Sequence, residues 1–338
     1  MKFFKTNIFY LLLFTAALFA GCNNGAQKKK VIGLSMDTYT EERWAKDAAM
    51  FKKEAERLGL DVEIQACNGD ENLQNKHIEN FVTKQVDAIV IVPHNSKTCA
   101  TAIKQAKEAG IPVIAYDRLI NDADLDLYIS FDNQKVGEMQ AQYILNIAPE
   151  GNYILAEGSS TDNNALLYHQ GHLNVLKQAI DAGKIKIIMD QYCKDWLPAE
   201  ALKQTQNALT LCNNNVAAIV AANDGLASGC IQALSEQQLQ GKVPVSGQDA
   251  EVSAIQRIID GTQTMTVYKP IKLLATQAAQ ATAMLINKQP LQGVNAKLNN
   301  NFKEVPSILL APIAVDKANY MSTVVADEFI DKGKLKIQ

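Results

Sequence analysis

The alternation of two kinds of segment from Lys30 onward limits the possible folds more than any other feature of the sequence. Short apolar runs rich in β-branched residues alternate with longer stretches of helical periodicity. Strand starts recur roughly every 25 to 30 residues, the length of one βα unit. Because strands that are apolar along their whole length are buried on both faces, the pattern predicts a parallel sheet with helices on either side. The predicted strands of this first series are VIGLSMD, DVEIQACNG, AIVIVP, VIAYDR and LYISFDN.

The same pattern starts again in the second half of the chain. Its strand candidates are NYILAEGS, IKIIMDQYC, AAIVAAND, VPVSGQD and TMTVYKP. At about 150 residues per domain, a chain of 338 residues has room for two domains. The sequence therefore predicts an α/β protein with two similar lobes, each a doubly wound parallel sheet.

The order of elements also predicts how the lobes are connected. A long helix and an irregular segment remain after the second series of strands, and they can return to the first lobe. We expect an N-terminal lobe of residues 31–131 with about 270–305, and a C-terminal lobe of 132–269 with about 306–338. The chain then crosses between the lobes several times, and such parallel crossings act as a hinge.

The N-terminus has the pattern of an export signal. Lys2 and Lys5 precede a short apolar run that ends in small residues directly before Cys22. This pattern resembles the bacterial lipobox, in which the cysteine is acylated and becomes the first mature residue. We expect a signal peptide at 1–21 and a lipid-anchored linker at 22–30, so that the protein is held at a membrane without spanning it. A plain signal peptide cleaved nearby is the alternative.

Charge and local motifs argue against several classes of protein. A formal net charge of −3 gives no electrostatic footprint for nucleic acid. The sequence contains no Walker loop, no G-x-S-x-G elbow and no H-E-x-x-H pair. We therefore expect no enzymatic activity and no cofactor.

Cysteine and histidine spacing does not predict a metal site. The six cysteines are widely and irregularly spaced, which favours small core residues, although a Cys67–Cys99 bridge remains open. His169 and His172 are three residues apart on a predicted helix, but the sequence places no third ligand beside them. We therefore expect no bound metal and interpret these two histidines as exposed or capping residues.

Polar side chains follow the predicted strands at their carboxyl ends, where open α/β sheets bind ligands. Any one Asp or Asn there is best interpreted as a helix N-cap, but caps do not account for Arg118, Trp196 or Lys269. A sugar needs this mixture, because carboxylates and amides bond its hydroxyls, cations donate to its oxygens, and an aromatic ring packs on its C–H face. The strand-end residues are Asp37, Asn68, His94, Asn95, Asp117, Arg118, Asp132, Asn133, Asp162, Asn163, Asn164, Trp196, Asn223, Asp224, Gln248, Asp249 and Lys269.

Several longer segments resemble a known family. Over roughly residues 31 to 325 the chain is similar to the D-xylose-binding members of the type I periplasmic binding proteins, which supply sugars to ATP-driven importers. The segments that carry the resemblance are EERWAKD, AYDRLINDAD, YISFDNQKVGE, DNNA, DWLPAEALK, ANDG, SGQDA and GTQTMTVYKP, in matching order. The resemblance implies two lobes with the sugar bound between them.

The resemblance also implies individual ligand-binding residues. Of the two amides in the DNNA loop, Asn164 is preferred to Asn163. His94 departs from the family pattern, because the resemblance implies a tyrosine-like side chain at this position. If His94 contacts the ligand, this difference affects which pentose the site binds. The residues implied to bind sugar are Arg43, Trp44, His94, Asp117, Arg118, Asn163, Asn164, Trp196, Asn223, Asp249 and Lys269.

The resemblance implies a monomeric receptor on the periplasmic side of a membrane. Such a receptor captures D-xylose and delivers it to the permease and ATPase subunits of an ABC importer. Ribose, arabinose and glucose remain open as ligands, because one extra group in a packed pocket costs only about 1–3 kcal/mol. Delivery of the closed form to a membrane sensor is the alternative to import. Transcription regulation is disfavoured, because related repressors need an N-terminal helix-turn-helix where this chain has an export signal.

Overall fold

The structure, a computed structural model, describes residues 29–337. The predicted signal peptide at 1–21 and the predicted lipid attachment at Cys22 lie outside the described residues. Within 29–337, no helix is both long and apolar enough to cross a membrane.

The elements alternate along the chain as predicted. The strands are β1 (Val31–Met36), β2 (Asp61–Ala66), β3 (Ala88–Ile91), β4 (Val113–Tyr116), β5 (Leu127–Phe131), β6 (Gly151–Glu157), β7 (Ile185–Tyr192), β8 (Ala218–Ala221), β9 (Thr266–Tyr268), β10 (Ala296–Asn299), β11 (Glu304–Leu310) and β12 (Ile313–Val315). The helices are α1 (Glu42–Arg57), α2 (Glu71–Thr83), α3 (Ala100–Glu108), α4 (Asn133–Ile147), α5 (Asn163–Asp181), α6 (Pro198–Leu211), α7 (Asp224–Glu236), α8 (Val252–Asp260) and α9 (Ile271–Ile286).

The first sheet contains seven strands in the order β10–β11–β5–β4–β3–β1–β2. Its neighbouring strands are parallel except for β10 and β11, which are antiparallel. Alternate residues of β3 point to opposite faces, so that Ile89 and Ile91 pack with α2 and α3, whereas Ala88 and Val90 pack with α1 and α9. All four side chains are fully buried, as expected for a strand covered on both sides.

The second sheet is built in the same way. Its strands are parallel and lie in the order β7–β6–β8. Tyr153 and Leu155 of β6 pack against α4 and α5, whereas Ile154 and Ala156 join the cluster that holds α6 and α7. Each lobe is therefore a parallel sheet between helices, which confirms the predicted α/β class.

One predicted strand, VPVSGQD, is not a regular strand in the structure. It joins β8 and β9 only through single bridges, at Val245 and at Gln248. The Ser246 hydroxyl accepts a hydrogen bond from the Ala221 N–H at 3.0 Å and donates one to the Ala221 carbonyl at 3.1 Å. Because a side chain satisfies backbone groups that a neighbouring strand would otherwise bond, the ladder is interrupted here.

The last crossing between the lobes lies farther along the chain than predicted. Helix α9 packs against α1, and β11 pairs with β5 from Ser307 to Leu310, so both belong to the first lobe. The crossing expected near Pro306 is therefore wrong. Pro306 is tolerated within β11 because the parallel ladder with β5 begins only at Ser307. We propose a boundary between Leu310 and Ile313, where β12 begins its pairing with β9.

The described cysteines are all unpaired, and most of them are buried. The bridge that the sequence left open between Cys67 and Cys99 is not formed, and Cys67 Sγ instead donates to the Asp37 carbonyl at 3.3 Å. Burial raises the pKa of both thiols to about 12. Such thiols are inert core residues, as the spacing predicted.

Candidate functional site

The carboxyl ends of the two sheets line one cavity between the lobes. Its walls combine charged, amide and aromatic side chains from both lobes, a lining that suits a small polar ligand such as a monosaccharide. The lining residues are Glu41, Arg43, Trp44, Asp117, Arg118, Asp162, Asn164, Tyr168, Trp196, Asn223, Gln248, Asp249 and Lys269.

Arg43, on the first-lobe side of the cavity, lies beside three carboxylates. It lies in the first turn of α1, one turn before Asp47, and its Nε is 3.0 Å from Asp47 Oδ2. Its Nη2 is 2.9 Å from Asp117 Oδ2, and its Nη1 is 3.7 Å from Asp249 Oδ1 in the second lobe. Burial opposes the charge, but these carboxylates raise the pKa of Arg43 well above its usual value. Arg43 therefore stays cationic and holds two acidic residues at the cavity.

Asp117 and Arg118 follow β4 and bind different partners. Arg118 Nη1 lies 2.7 Å from Asp37 Oδ2, and its Nε lies 2.8 Å from Asp162 Oδ2 in the second lobe. Asn164, also in the second lobe, donates from Nδ2 to Asp117 Oδ1 at 3.1 Å. Asp117 has a φ of 61°, in the left-handed region that few residues other than glycine adopt. The two residues thus connect the lobes through bonds that require the lobes to be close together.

Two tryptophans form the aromatic walls of the cavity. Trp44 Nε1 donates to Glu41 Oε2 at 2.8 Å, and Trp196 Nε1 donates to Asp162 Oδ2 at 3.2 Å. Because their N–H groups are bonded to carboxylates, both indole rings are fixed in orientation. Gly158 makes room for Trp196, since a Cβ at position 158 would lie only 2.1 Å from the indole ring.

Asp249 and Asn223 have polar atoms that no residue in the described part of the chain bonds. Asp249 Oδ1 is buried and accepts no hydrogen bond from any described residue. Arg43 Nη1 and Lys269 Nζ lie 3.7 and 3.9 Å from it, beyond hydrogen-bond length. Asn223 caps α7 by accepting from the Leu226 N–H at 2.8 Å, which leaves its Nδ2 without a partner among residues 29–337. A ligand that offers both a donor and an acceptor would complete this part of the site.

Lys269 lies at the crossing from β9 to α9. Its Nζ donates to the Tyr168 hydroxyl at 3.2 Å and lies 3.6 Å from Asp117 Oδ2. Burial and the Arg43 charge lower the pKa of Lys269, and the carboxylates of Asp117 and Asp249 oppose this shift. Lys269 is therefore a buried hydrogen-bond donor at the hinge that contacts residues of both lobes.

Comparison with known proteins agrees with this geometry. Residues 32–290 match a family model described as a periplasmic binding protein domain. The chain belongs to the periplasmic binding protein family. The sequence of this chain is 50% identical to that of the D-xylose-binding periplasmic protein of Haemophilus influenzae, and the alignment covers 96% of this chain and 98% of that protein. It is 51% identical to the D-xylose-binding periplasmic protein of Escherichia coli (strain K12), and that alignment covers 93% of this chain and 95% of the relative.

A solved structure supports the same assignment of this periplasmic binding protein. A carbohydrate transporter solute-binding protein from Chloroflexus aurantiacus, in complex with D-glucose, superposes with a TM-score of 0.84. The two sequences are 29% identical, and the match covers 92% of this chain and 99% of the other. The prediction of a type I binding protein fold, and of a binding receptor that is not an enzyme, is confirmed.

His94 is not among the residues that line the cavity of this periplasmic binding protein, but it lies in an adjoining pocket that shares Glu41, Arg118 and Trp196 with it. Its Nδ1 is 2.9 Å from Asp37 Oδ1, and its Nε2 is 3.8 Å from Asp195 Oδ1 in the second lobe. Strand β3 ends at Ile91, so His94 lies three residues beyond the strand end, and its ring contacts Asp37. Because Asp37 also binds Arg118, His94 acts on the site indirectly.

Asn163 is the second predicted residue that does not line the cavity. It is half-buried at the start of α5, whereas Asn164 is buried and bonded to Asp117. Successive residues of a helix point about 100° apart, so only one of the two amides can face the ligand. The preference for Asn164 agrees with this arrangement.

Four residues that line the cavity of this binding protein were not among the predicted site residues. Asp162 and Gln248 were recognised at strand ends but not chosen as binding residues. Asp162 was interpreted as a cap, and it does cap α5 through Oδ1 while its Oδ2 binds Arg118. Tyr168 lies four residues after Asn164, on the same face of α5, and this spacing was the available signal. Glu41 directly precedes α1, and it neither follows a strand nor shares a helix face with a predicted site residue, so no sequence pattern pointed to it.

Proposed function

We propose that this protein captures a monosaccharide, D-xylose foremost, between its lobes and delivers it to an ABC importer. The observation that carries the proposal is the buried Asp249 Oδ1, which has no hydrogen-bond donor among the described residues. A carboxylate oxygen in such a place favours a ligand that brings a hydroxyl donor. The two relatives at 50% and 51% identity are both named as D-xylose-binding proteins.

The proposed mechanism is a shift of population toward the closed arrangement of the lobes. Arg43, Asp117 and Arg118 come from the first lobe, whereas Asn223 and Asp249 come from the second. A sugar can bond both groups at once only when the lobes are closed. Its differential affinity for that arrangement then stabilises closure.

D-Glucose is the second candidate ligand. The Chloroflexus aurantiacus protein with the same fold was solved with D-glucose. The pentose is preferred because glucose carries an additional CH₂OH group that must find space beside the two tryptophans of the cavity. One such group changes the binding free energy by about 1–3 kcal/mol in a packed pocket, so we expect D-glucose to bind more weakly than D-xylose but not to be fully excluded.

Isothermal titration of the purified protein with D-xylose, D-ribose, L-arabinose and D-glucose tests the proposal. We expect one site per chain, with D-xylose bound most tightly and with a change in tryptophan fluorescence from Trp44 or Trp196. Absence of heat and of a fluorescence change with all four sugars at millimolar concentration would contradict sugar capture. Tighter binding of D-glucose than of D-xylose would contradict the choice of ligand and leave sugar capture in place.

The proposed partners are the permease and ATPase subunits of an importer, with the monomeric protein held on the periplasmic side of a membrane by a lipid at Cys22. The support for the anchor is the sequence of residues 1–22. We expect the wild-type protein in the membrane fraction and the Cys22→Ala variant in the soluble fraction. Equal distribution of the two proteins would contradict lipid attachment at this residue.

A further inference from the structure

We propose that Glu157, His169 and Asp190 form a site for one divalent transition-metal ion, with Zn²⁺ the best match, on the second lobe and outside the sugar cavity. Each residue offers one ligand atom, and these atoms all lie within 4.8 Å of one another. Glu157 ends β6, Asp190 lies near the end of β7, and His169 lies on α5. The three residues therefore come from three adjacent elements of one lobe.

The buried carboxylate of Glu157 points to a missing partner. The Glu157 side chain is fully buried, and its Oε1 lies 2.8 Å from His172 Nδ1. Its Oε2 is buried as well and has no hydrogen-bond partner among the described residues. An unsatisfied buried polar atom costs about 1–3 kcal/mol, and more when the group is charged. The alternative is two separate ion pairs, Glu157 with His172 and Asp190 with His169. That arrangement leaves Glu157 Oε2 without a partner, whereas a bound cation would accept this oxygen as a ligand.

His172 positions Glu157 and is not a ligand. The Gln140 amide nitrogen lies 3.0 to 3.1 Å from three backbone carbonyl oxygens, among which it shares its two N–H groups. The orientation of the amide is therefore fixed, and its Oε1 faces His172 Nε2 at 2.9 Å. Both ring nitrogens of His172 are thus occupied, one by Gln140 and the other by Glu157. This finding corrects the expectation that His172 is an exposed or capping residue. Such a partner behind a metal-binding side chain is typical of metal sites.

The other two residues leave the site open to solvent on one side. The side chains of His169 and Asp190 are 21% and 34% exposed, and His169 Nε2 lies 3.0 Å from Asp190 Oδ2. The Tyr192 hydroxyl lies 3.3 Å from His169 Nδ1 and holds the ring, which leaves Nε2 for an ion. One imidazole nitrogen and two carboxylate oxygens, with water completing the shell, form a donor set that zinc accepts.

The ion would strengthen the edge of the second sheet. Strand β7 is the outer strand of the order β7–β6–β8, and the three residues connect it to β6 and to α5. The segment that follows β7 is already bonded to the end of β6, since the Cys193 N–H donates to the Glu157 carbonyl at 2.9 Å. We therefore expect the ion to stabilise the lobe and to affect sugar affinity little.

Titration of the chelator-treated, dialysed protein with Zn²⁺ tests the proposal. We expect saturable binding of one ion per chain, a higher melting temperature with Zn²⁺, and a visible absorption band on addition of Co²⁺. His169→Gln and Asp190→Asn should each weaken Zn²⁺ binding at least about tenfold, because each removes one of three ligands. Both positions are partly exposed, so we expect the variants to fold, which circular dichroism checks.

Two control variants separate this site from other histidines and acids. Asp181→Asn removes an exposed acid of α5 that pairs with Lys177, and His94→Gln removes a histidine that lies beside two aspartates. Both should bind Zn²⁺ as the wild type does. No saturable Zn²⁺ binding, unchanged binding in both site variants, or loss of binding in His94→Gln would overturn the proposal. Titration with D-xylose is a separate readout, so failure of the metal site is distinguishable from failure of sugar binding.

Discussion

The carboxylates around the cavity differ in how many bonds the protein gives them. Asp117 bonds Arg43 through one oxygen and Asn164 through the other, and Asp162 likewise uses both of its oxygens. Asp249 keeps Oδ1 free of hydrogen bonds from the described residues. Substitution of Asp249 should therefore affect the ligand more than the fold.

We expect Asp249→Ala to weaken D-xylose binding by about 1–3 kcal/mol, because a sugar hydroxyl loses its acceptor in a buried site. Isothermal titration measures the change. Asn163→Ala is the matched control, since this half-buried amide does not line the cavity, and its affinity should equal that of the wild type. Equal affinities for all three proteins would contradict the role of Asp249.

We expect His94 to make sugar affinity depend on pH. Its hydrogen bond to Asp37 and the charges of Asp37 and Asp195 raise the pKa of His94 above 6.5, although burial and the Arg118 charge oppose this. Only the contact with Asp195 crosses the lobe interface, so the protonated ring favours the closed lobes. This contribution is present below pH 6.5 and is lost as the pH rises through the raised pKa.

We expect D-xylose affinity to fall about two- to fivefold as the pH rises through the raised pKa of His94. This factor corresponds to the free energy of a partly exposed ion pair. Titrations at several pH values between about 5.5 and 9 measure the effect. In His94→Gln the decrease should be absent. A decrease of the same size in this variant would assign the pH dependence to another group.

At the level of elements, the segment after α7 shows how a strand pattern is interrupted without loss of hydrogen bonds. Ser246 bonds both backbone groups of Ala221, and Pro244 can only accept, which it does from the Ile219 N–H at 3.0 Å. The segment therefore stays attached to β8 while its backbone turns toward the cavity at Gln248 and Asp249.

We expect Ser246→Ala to lower the free energy of unfolding by about 1–3 kcal/mol, because the buried Ala221 N–H loses its acceptor. Urea denaturation measures the difference. The control is Ser160→Ala, since Ser160 is exposed on a loop of the same lobe. If Ser246→Ala is as stable as its control, the hydrogen bonds between the Ser246 hydroxyl and Ala221 do not contribute to the stability of the second lobe.

At the level of the whole molecule, the lobes contact each other through side chains and backbone. The Arg118–Asp162 ion pair crosses the interface, and the Ser96 N–H donates to the Thr161 carbonyl at 2.9 Å. Within residues 29–337, three connections join the lobes, after β5, after β9 and after β11. The lobes can therefore rotate about these connections while each sheet stays intact.

We expect D-xylose to reduce the radius of gyration in small-angle X-ray scattering and to stabilise the protein. At a free sugar concentration of 100 times Kd, the gain in unfolding free energy is about 2.7 kcal/mol. Arg118→Ala removes two interactions, with Asp37 and with Asp162, and should reduce both effects. A radius of gyration that does not change with sugar in the wild type, despite measurable binding, would contradict closure upon binding.

The sequence by itself determined most of the helices and strands, the parallel pairing within the two lobes and the strand ends at which the candidate ligand-binding residues lie, but it did not predict β10 and it predicted a regular strand at VPVSGQD. It could do so because apolar periodicity and strand length are local properties, and because the carboxyl ends of parallel strands share one edge. The aromatic and cationic residues Trp196, Arg118 and Lys269 stood out for the same reason, since helix caps do not require them.

Only the tertiary structure decided which of these side chains meet. The helical angle between Asn163 and Asn164 selects one amide, and the distance of His94 from the end of β3 removes it from the cavity. The grouping of Glu157 and Asp190 with His169 also needs the parallel pairing of β6 with β7 and the packing of α5 on the sheet. Such contacts join residues that are far apart in sequence, and they depend on register and packing, which no local pattern specifies.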